Sequence, residues 1–372
     1  MATTLLVTND FPPTVGGIQS YVRDFAAQLP PQDLVVFAST QDADAARDYD
    51  AQLPYRVVRW PHAVMLPTPA TSRRMCELIA EHNVETVWFG AAAPLGLLGA
   101  AAKRAGARRV VASTHGHEVG WAMLPGARQA LRRIGNSADA VTYISDYTRR
   151  RIETAFGDVE WVHLPSGVDA NVFQPTLRRA EIRKQWGVAP EQPMVCCISR
   201  LVPRKGQDAL IRCWPRVLAE VPDAKLVIVG GGRYERALRR MAGPNVLFTG
   251  MLADAARTDL LASADVFAMP ARTRFGGLDV EGLGIVYLEA QGCEIPVIAG
   301  DSGGAPETVT ADTGVVVSGR DSAALAREII ALLRDPSRRA AMGRAGRAHV
   351  LDLWSWERLG ERLREVLAPA AE

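Results

Sequence analysis

The sequence has 372 residues, 48% of them hydrophobic, and a formal net charge of +2. A chain of this length exceeds what one hydrophobic core usually supports, so we expect two domains. The balanced charge excludes a surface devoted to nucleic acid, and no apolar run approaches the roughly 20 residues that span a membrane. Five cysteines without metal or disulfide spacing, and a start without a basic leader, favour a reducing cytoplasm.

Short apolar strands alternate with longer helical segments, and the pattern restarts near residue 194. This alternation predicts an α/β protein with parallel sheets covered by helices. We expect strands at Leu5–Thr8, Leu34–Ala38, Tyr55–Trp60, Thr86–Phe89, Val110–Ser113, Ala140–Ile144, Trp161–His163, Met194–Ser199, Lys225–Val229, Val246–Thr249, Val266–Met269, Pro296–Ala299 and Gly314–Val317. The main helices are expected at Ile18–Leu29, Thr71–Glu81, Leu95–Ala105, Gly126–Asn136, Gln207–Glu220, Ser322–Arg334 and Ser337–Val350.

A Pro- and Gly-containing segment at residues 164–175 is typical of a hinge between domains. The sequence predicts an N-terminal domain at residues 1–165 and a C-terminal domain at 166–353. A last helix, from Trp354 to about Leu367, follows an expected break at Leu351–Leu353. We assign this helix, within residues 354–372, to the first domain.

Several loops carry residues suited to anions or sugars. Gly16 and Gly17 precede the first helix, where a phosphate can approach the backbone N–H groups, although an ordinary tight turn fits equally well. His115, His117 and Glu118 follow a strand in the run Thr-His-Gly-His-Glu. They could bind a metal or hydrogen-bond the backbone, and the lack of a third His or Cys nearby disfavours the metal.

Cations are concentrated in two places. Residues 103–151 hold ten Lys and Arg and three Asp and Glu, so the local charge is 10 − 3 = +7. These cations either form ordinary solvated helix faces or bind anionic lipid headgroups. Arg200, Arg204 and Lys205 lie in a loop between a strand and a helix, where they could clamp an anion.

Further glycine-rich loops follow the strands of the second half. Gly230 and Gly231 end one strand, Met251 follows the next, and residues 301–307 form another such loop. Ligands of open α/β sheets bind at the carboxyl ends of the strands, so these loops should meet at one edge.

Two glutamates eight residues apart, Glu281 and Glu289, are the most informative feature. Glu281 lies in a glycine-rich loop and Glu289 on a helix that starts near Gly284. On a continuous helix the two would share one face about 12 Å apart. The helix start offers N–H groups to a diphosphate between them, whereas a solvated helix bearing two surface acids would need neither the glycines nor the apolar run.

The Glu-x7-Glu pair, the Arg-x4-Lys pair and the glycine loops resemble those of retaining GT-B glycosyltransferases of family 4. The runs Thr8–Pro13, Trp88–Pro94, Thr114–Trp121 and Pro270–Arg274 are similar to the actinobacterial branch that transfers mannose to phosphatidylinositol mannosides. The resemblance implies the GT-B fold, with two Rossmann-like domains facing a central cleft and a C-terminal helix crossing back to the first domain. Phe275 departs from the family pattern, which has a small residue there.

The resemblance also implies roles. Arg200, Lys205, Glu281 and His115 would be catalytic, with Glu281 and His115 on the transferred sugar, Arg200 and Lys205 on the leaving diphosphate and Glu289 on the ribose. Asp10, His117 and Glu118 would lie on the acceptor side. The donor site would comprise Gly16, Gly17, Arg200, Lys205, Gly230, Gly231, Met251, Asp279, Glu281, Leu283, Gly284, Ile285, Val286 and Glu289.

The implied reaction moves mannose from GDP-mannose to a lipid-linked inositol mannoside, in an α-1,6 linkage with retained configuration. It needs no metal or other cofactor, because two cations neutralise the phosphates. The implied partner is an anionic lipid, reached by peripheral contact at the inner face of the cell membrane, with no nucleic acid. A family member with another donor or a soluble acceptor, a GT-B epimerase and a nucleotide-sugar sensor remain alternatives.

Overall fold

The computed structural model describes residues 3–369, so the outermost positions of the predicted domain ranges, 1–2 and 370–372, lie outside it. The chain divides into two compact units. The first runs up to Ser166 and resumes at Trp356, and the second is Gly167–Ser355. Each contains one sheet with parallel strand pairing, as the alternation of strands and helices predicted.

The first unit contains the strands β1 (Thr4–Thr8), β2 (Leu34–Ala38), β3 (Arg56–Arg59), β4 (Thr86–Phe89), β5 (Arg109–Ser113), β6 (Ala140–Tyr143) and β7 (Glu160–His163). Its helices up to Ser166 are α1 (Gly17–Ala26), α2 (Ala43–Asp50), α3 (Pro69–Glu81), α4 (Gly99–Arg104), α5 (Glu118–Ala122), α6 (Pro125–Ser137) and α7 (Asp146–Phe156). The strand order is β3-β2-β1-β4-β5-β6-β7, with the order reversal beside β1. Ligands bind beside such a reversal in open α/β sheets.

The core of the first unit lies on both faces of this sheet. Successive side chains of a strand point to opposite faces. Leu5 and Val7 of β1 pack in one apolar layer with Ile134, whereas Leu6 packs in the other with Phe25. The side chains of β1 and of Phe25 on α1 named here are fully buried. The strand is therefore held rigidly, and its carboxyl end can position a site.

The second unit repeats the arrangement. Its strands are β8 (Met194–Ile198), β9 (Lys225–Val229), β10 (Val246–Gly250), β11 (Val266–Met269), β12 (Val297–Gly300) and β13 (Gly314–Val317). Its helices are α8 (Arg179–Gln185), α9 (Gln207–Glu220), α10 (Glu235–Met241), α11 (Asp254–Ala262), α12 (Ile285–Gly292), α13 (Ser322–Arg334) and α14 (Pro336–Leu353). The strand order β10-β9-β8-β11-β12-β13 is that of a Rossmann-like domain.

The final helix, α15 (Trp356–Leu367), packs on the first unit, as predicted. Leu359 and Leu363 are buried in the same apolar layer as Phe25. The Thr86 hydroxyl of β4 donates to the Leu367 carbonyl at 2.8 Å. This helix therefore completes the core of a unit that is distant from it in sequence.

Several predicted helix boundaries are wrong; α1, for example, ends at Ala26 rather than Leu29. No break occurs at Leu351–Leu353, because this Leu-Asp-Leu run contains no helix breaker and α14 continues to Leu353. The helix predicted at Leu95–Ala105 is a 3₁₀ turn, Leu95–Leu98, followed by α4. Two glycines in this short segment lower its α-helical propensity.

Candidate functional site

The loop after β8 carries the predicted anion clamp. Arg200 is exposed, and no carboxylate among residues 3–369 lies within ion-pair distance of it. Lys205 is 9% exposed, and its Nζ lies 2.5 Å from Oε2 of Glu281. The structure thus joins Lys205 and Glu281, which are far apart in sequence, at the carboxyl edge of the second sheet.

The loop after β12 fixes the position of Glu281. The Glu281 backbone N–H donates to the Ser302 hydroxyl at 3.1 Å, and its carbonyl accepts from the Gly304 N–H at 3.0 Å. Gly303 has a φ of 60°, and a Cβ there would lie 1.9 Å from the Glu281 carbonyl oxygen. Only glycine permits this close approach, so the loop at residues 301–304 is a rigid support for Glu281.

A third cation, Arg204, joins this cluster. Its Nη1 lies 3.5 Å from Oδ1 of Asp279, and its Nε lies 3.9 Å from Oε2 of Glu281. Asp279 also lies 3.4 Å from Arg274, so it links the two arginine-bearing loops. Arg204 was visible in the sequence as the middle cation of the clamp but was not assigned a role.

Glu281 and Glu289 do not share a continuous helix. Gly284 adopts a left-handed φ of 87°, and α12 begins at the next residue. A Cβ at Gly284 would lie 2.5 Å from the Tyr287 ring. Glu281 therefore approaches from a loop, and only Glu289 lies on the helix.

The start of α12, where the sequence predicts a diphosphate to bind, has features that suit an anion. No side chain caps it, and its first turn contains no acidic residue. The first backbone N–H groups, those of Ile285 and Val286, have no intrahelical partner in such a position. Leu283 is buried beside them, and the helix dipole adds positive potential for an anion.

Glu289 faces an arginine that the sequence analysis missed. Oε2 of Glu289 lies 2.8 Å from Nη1 of Arg257, on α11. Burial raises the pKa of the Glu289 carboxyl, and Arg257 opposes this shift. Arg257 belongs to no recognisable motif, so nothing in the sequence singled it out.

The neighbouring loops at the carboxyl edge of the second sheet contain Gly230, Gly231 and Met251. The Gly231 carbonyl accepts from the Leu201 N–H at 2.9 Å, next to Arg200. A Cβ at Gly231 would lie 3.1 Å from Cγ of Met251, whose side chain is 82% exposed. These loops pack on the arginine-bearing loop and leave Met251 open to a ligand.

The first unit holds the remaining predicted residues at the carboxyl ends of β1 and β5. Gly16 and Gly17 precede and begin α1, which has no side-chain cap, and a Cβ at Gly17 would meet nothing within 4 Å. This helix start is therefore open to an anion as well. The side chain of Asp10, in the same loop, accepts from the Gln19 amide at 2.8 Å.

A hydrogen bond to the backbone orients the ring of His115. Its Nε2 lies 2.7 Å from the Gly90 carbonyl, which can only accept, so Nε2 carries a proton, and in the neutral form of the ring Nδ1 is an acceptor. Burial lowers the pKa of His115. Burial also raises the pKa of Asp10, against the opposing effects of His115 and His117.

Glu118 organises the backbone of this loop. Its side chain is buried, and Oε2 accepts from the N–H groups of His115 and Gly116 at 3.1 and 3.0 Å. His117 is exposed and stacks on His115, with ring centroids 6.5 Å apart. Within this unit the structure brings together Asp10, His115, His117 and Glu118, and of these both His115 and Glu118 hydrogen-bond backbone groups.

Residues 3–369 contain no group of three or more His, Cys, Asp or Glu arranged to hold a metal ion. Over the same part of the chain, every helix is too short or too polar to cross a bilayer.

Solved structures share this fold. The Anabaena protein HepE in complex with UDP matches with a TM-score of 0.81 and 21% identity over 99% of both chains. Sucrose-phosphate synthase from Thermosynechococcus elongatus matches with a TM-score of 0.77 and 21% identity over 98% of both chains. Two Rossmann-like units with these neighbours define a GT-B glycosyltransferase fold.

Sequence comparison gives the family. A model described as "Glycosyltransferase Family 4" matches residues 15–172, and one described as "Glycosyl transferases group 1" matches residues 178–349. The chain is 60% identical, over 98% of its length and 97% of the relative's, to "GDP-mannose-dependent monoacylated alpha-(1-6)-phosphatidylinositol monomannoside mannosyltransferase" of Corynebacterium glutamicum. It is 55% identical, over 99% of both chains, to the "GDP-mannose-dependent alpha-(1-6)-phosphatidylinositol monomannoside mannosyltransferase" of Mycolicibacterium smegmatis. The chain belongs to glycosyltransferase family 4, which confirms the predicted family.

Proposed function

We propose that this protein transfers mannose from GDP-mannose to a phosphatidylinositol monomannoside, forming an α-1,6 linkage with retained anomeric configuration. The observation that carries the proposal is the Lys205–Glu281 pair at the sheet edge, in a chain 60% identical to a mannosyltransferase over nearly its whole length. Another donor, a soluble acceptor or an epimerase activity is not favoured by these relatives.

The chemistry follows from the charges of the cluster. The bond from the mannose anomeric carbon to the phosphate oxygen breaks, the bond to the acceptor oxygen forms on the same face, and the acceptor proton passes to the leaving phosphate. Negative charge therefore grows on the diphosphate in the transition state. Arg200, which pairs with no carboxylate in the described part of the chain, and Lys205 would stabilise that charge more than they stabilise the bound donor.

His115 suits a hydroxyl rather than a charge. Its neutral ring offers Nδ1 as a hydrogen-bond acceptor, because Nε2–H is committed to Gly90. A sugar hydroxyl is a matching donor. We assign His115 to the transferred mannose, and Asp10 and His117 to the acceptor side.

The direct test is a donor-by-acceptor screen for GDP release, with the product identified by mass spectrometry. We expect turnover with GDP-mannose and phosphatidylinositol monomannoside, and little with UDP-glucose or methyl mannoside. Consumption of GDP-mannose at equal rate without any acceptor would contradict transfer and favour an epimerase or a hydrolase.

The reaction is proposed to need no metal, because Arg200, Lys205 and the N–H groups at the start of α12 would neutralise the diphosphate. Turnover should be unchanged by excess EDTA. Loss of turnover on EDTA treatment with recovery on adding Mg²⁺ or Mn²⁺ would contradict the proposal.

Contact with the lipid acceptor is proposed to occur through α6 at the inner face of the membrane. Several cations of residues 103–151 are paired, for example Lys103 with Asp139 and Arg109 with Glu160. Of the other cations in this range, three exposed arginines, Arg128, Arg132 and Arg133, lie together on α6, which contains no acidic residue. Met123 and Leu124, just before it, are 61% and 62% exposed.

Each of these arginines would contribute about 1 kcal/mol near an anionic surface, so binding should be weak and salt-sensitive. Vesicles containing phosphatidylinositol should co-sediment the protein at low salt and release it at high salt. Replacing Arg128, Arg132 and Arg133 by Ser should reduce binding and leave GDP affinity intact. A control with Arg104 and Arg150 replaced by Ser should bind nearly as wild type, and equal loss in both variants would reject α6 as the contact.

A further inference from the structure

The second unit contains a cavity of about 350 Å³ whose charged lining consists of Arg212, Arg272, Arg274 and Arg320. We call it the arginine pocket. No carboxylate lines it. Four guanidinium groups around one cavity repel one another unless anions compensate them, so the local carboxylates decide whether the pocket needs a ligand.

The nearest carboxylate is already shared by two arginines. Asp208 is buried beneath the pocket and accepts from Arg272 at 2.7 and 2.8 Å, and it also pairs with Arg212. One negative charge therefore compensates two positive ones. Arg274 is 3.4 Å from Asp279, which Arg204 also approaches.

Arg320 has no carboxylate partner within ion-pair distance among residues 3–369. Its Nη2 donates to the Thr273 carbonyl at 2.9 Å, which fixes the guanidinium through a neutral acceptor rather than an ion pair. The adjacent Asp321 does not form an ion pair with Arg320. Its carboxylate instead caps α13 by accepting from the N–H groups of Ala323 and Ala324. The pocket thus keeps an excess of positive charge on arginines whose planar donors suit a phosphate.

A second cavity, of about 300 Å³, adjoins the pocket and shares Arg274 and Arg320 with it. Its other lining residues include Thr273, Phe275 and Asp301, which offer a hydroxyl, a ring face and a carboxylate. Such a surface suits a hydroxylated group. We propose that the arginine pocket binds the phosphate of a phosphate ester, and that the esterified polyol extends into the second cavity.

Neither Arg200 nor Lys205 lines this pocket, although Asp279 and Arg204 connect the two regions, and the proposal does not depend on mannose transfer. The full-length protein should be saturated with GDP, so that the clamp is occupied, and then titrated with inorganic phosphate by calorimetry. We expect one further phosphate to bind. Arg320→Gln should weaken that binding about tenfold, the loss of one charge-assisted hydrogen bond.

The control is Arg216→Gln, because Arg216 is exposed on α9 one turn beyond Arg212 and does not line the pocket. It should bind phosphate as wild type. Arg212→Gln is a second pocket variant, and unchanged GDP affinity shows that each variant is folded. Absence of a further phosphate, or equal weakening by Arg320→Gln and Arg216→Gln, would overturn the proposal, the latter result meaning diffuse electrostatic attraction.

Co-sedimentation with vesicles distinguishes the two sources of a phosphate ester, a lipid headgroup and a soluble compound. If Arg320→Gln also weakens co-sedimentation with phosphatidylinositol vesicles relative to Arg216→Gln, the pocket takes a lipid headgroup. If vesicle binding is unaffected while phosphate binding falls, the pocket takes a soluble phosphate ester. Either result supports the pocket as a phosphate site and separates it from α6.

Discussion

The cluster around Glu281 and the cluster around His115 handle charge in opposite ways. In the second unit, Lys205, Arg204 and Glu281 are ionic groups that compensate one another at a sheet edge. In the first unit, burial lowers the pKa of His115 and raises that of Asp10, so each shift favours a neutral side chain. The ionic groups around Glu281 suit a ligand whose charge changes, whereas the groups around His115, where burial favours neutral forms, suit hydroxyl groups.

The difference has an energetic consequence. A diphosphate that bound Lys205 would compete with Glu281 for that side chain. The attraction between the diphosphate and Lys205 would therefore be partly offset by the cost of separating the Lys205–Glu281 ion pair. A sugar hydroxyl meeting His115 displaces no ionic partner. Mutations in the two clusters should therefore differ both in size and in the kinetic constant they change.

The largest effect is expected in the charged cluster. Arg200→Ala and Lys205→Ala should each lower kcat with a smaller effect on donor affinity, because the charge they meet grows in the transition state. A barrier increase of roughly 2–4 kcal/mol corresponds to about 30- to 1,000-fold. Steady-state kinetics and calorimetry check this, with the exposed Arg236→Ala as the control. A change in KM alone would be incompatible with the proposed role.

Effects of intermediate size on ligand affinity should distinguish the roles of Glu281 and Glu289. Glu289→Ala should weaken both GDP and GDP-mannose by about 10-fold or more, as expected for a lost ribose contact. Glu281→Ala should weaken GDP-mannose but leave GDP binding equal or stronger, because it releases Lys205. Calorimetry with both ligands measures the four affinities. Equal loss of GDP affinity in the two variants would refute the assignment.

The smallest effect concerns the pH dependence of activity and the role of His115 in it. Because the pKa of His115 lies below the ordinary 6.5, its neutral form persists to lower pH in the folded protein, and its contribution to stability falls as pH drops below 6.5. Protonation removes the Nδ1 acceptor, so kcat/KM should decline on the acid side. His115→Gln should lower kcat/KM and flatten that limb, while Asp10 still titrates in both proteins. An identical acid limb in the variant would exclude His115 as its origin.

The strands were predictable because buried parallel strands are continuous apolar runs between turn residues. Val266–Met269 and Lys225–Val229, for example, have their predicted bounds. Helix boundaries were less predictable, since Leu351–Leu353 contains no residue that either forbids or requires a helix. Packing around Val350 and Trp354, both buried, decides where α14 ends.

The candidate site was predictable where its residues share a short motif and not where they meet across the fold. The spacing of Glu281 and Glu289 and the Arg200–Lys205 loop are local signals. The pairing of Glu289 with Arg257 requires α11 to lie beside α12, which no local pattern encodes. The positive φ of Phe275, 50°, explains why a glycine suits that position, but not why this chain has a phenylalanine.

The placement of α15 has a consequence for how the protein is made. Ribosomal synthesis delivers the seven strands of the first sheet early, yet Leu359 and Leu363, which cover Phe25, emerge only after the whole second unit. Until then the nascent first unit exposes an apolar surface to solvent and to chaperones. The second unit, continuous in sequence from Gly167 to Ser355, can close its own core first. The unit that is translated first is therefore the last to complete its apolar core.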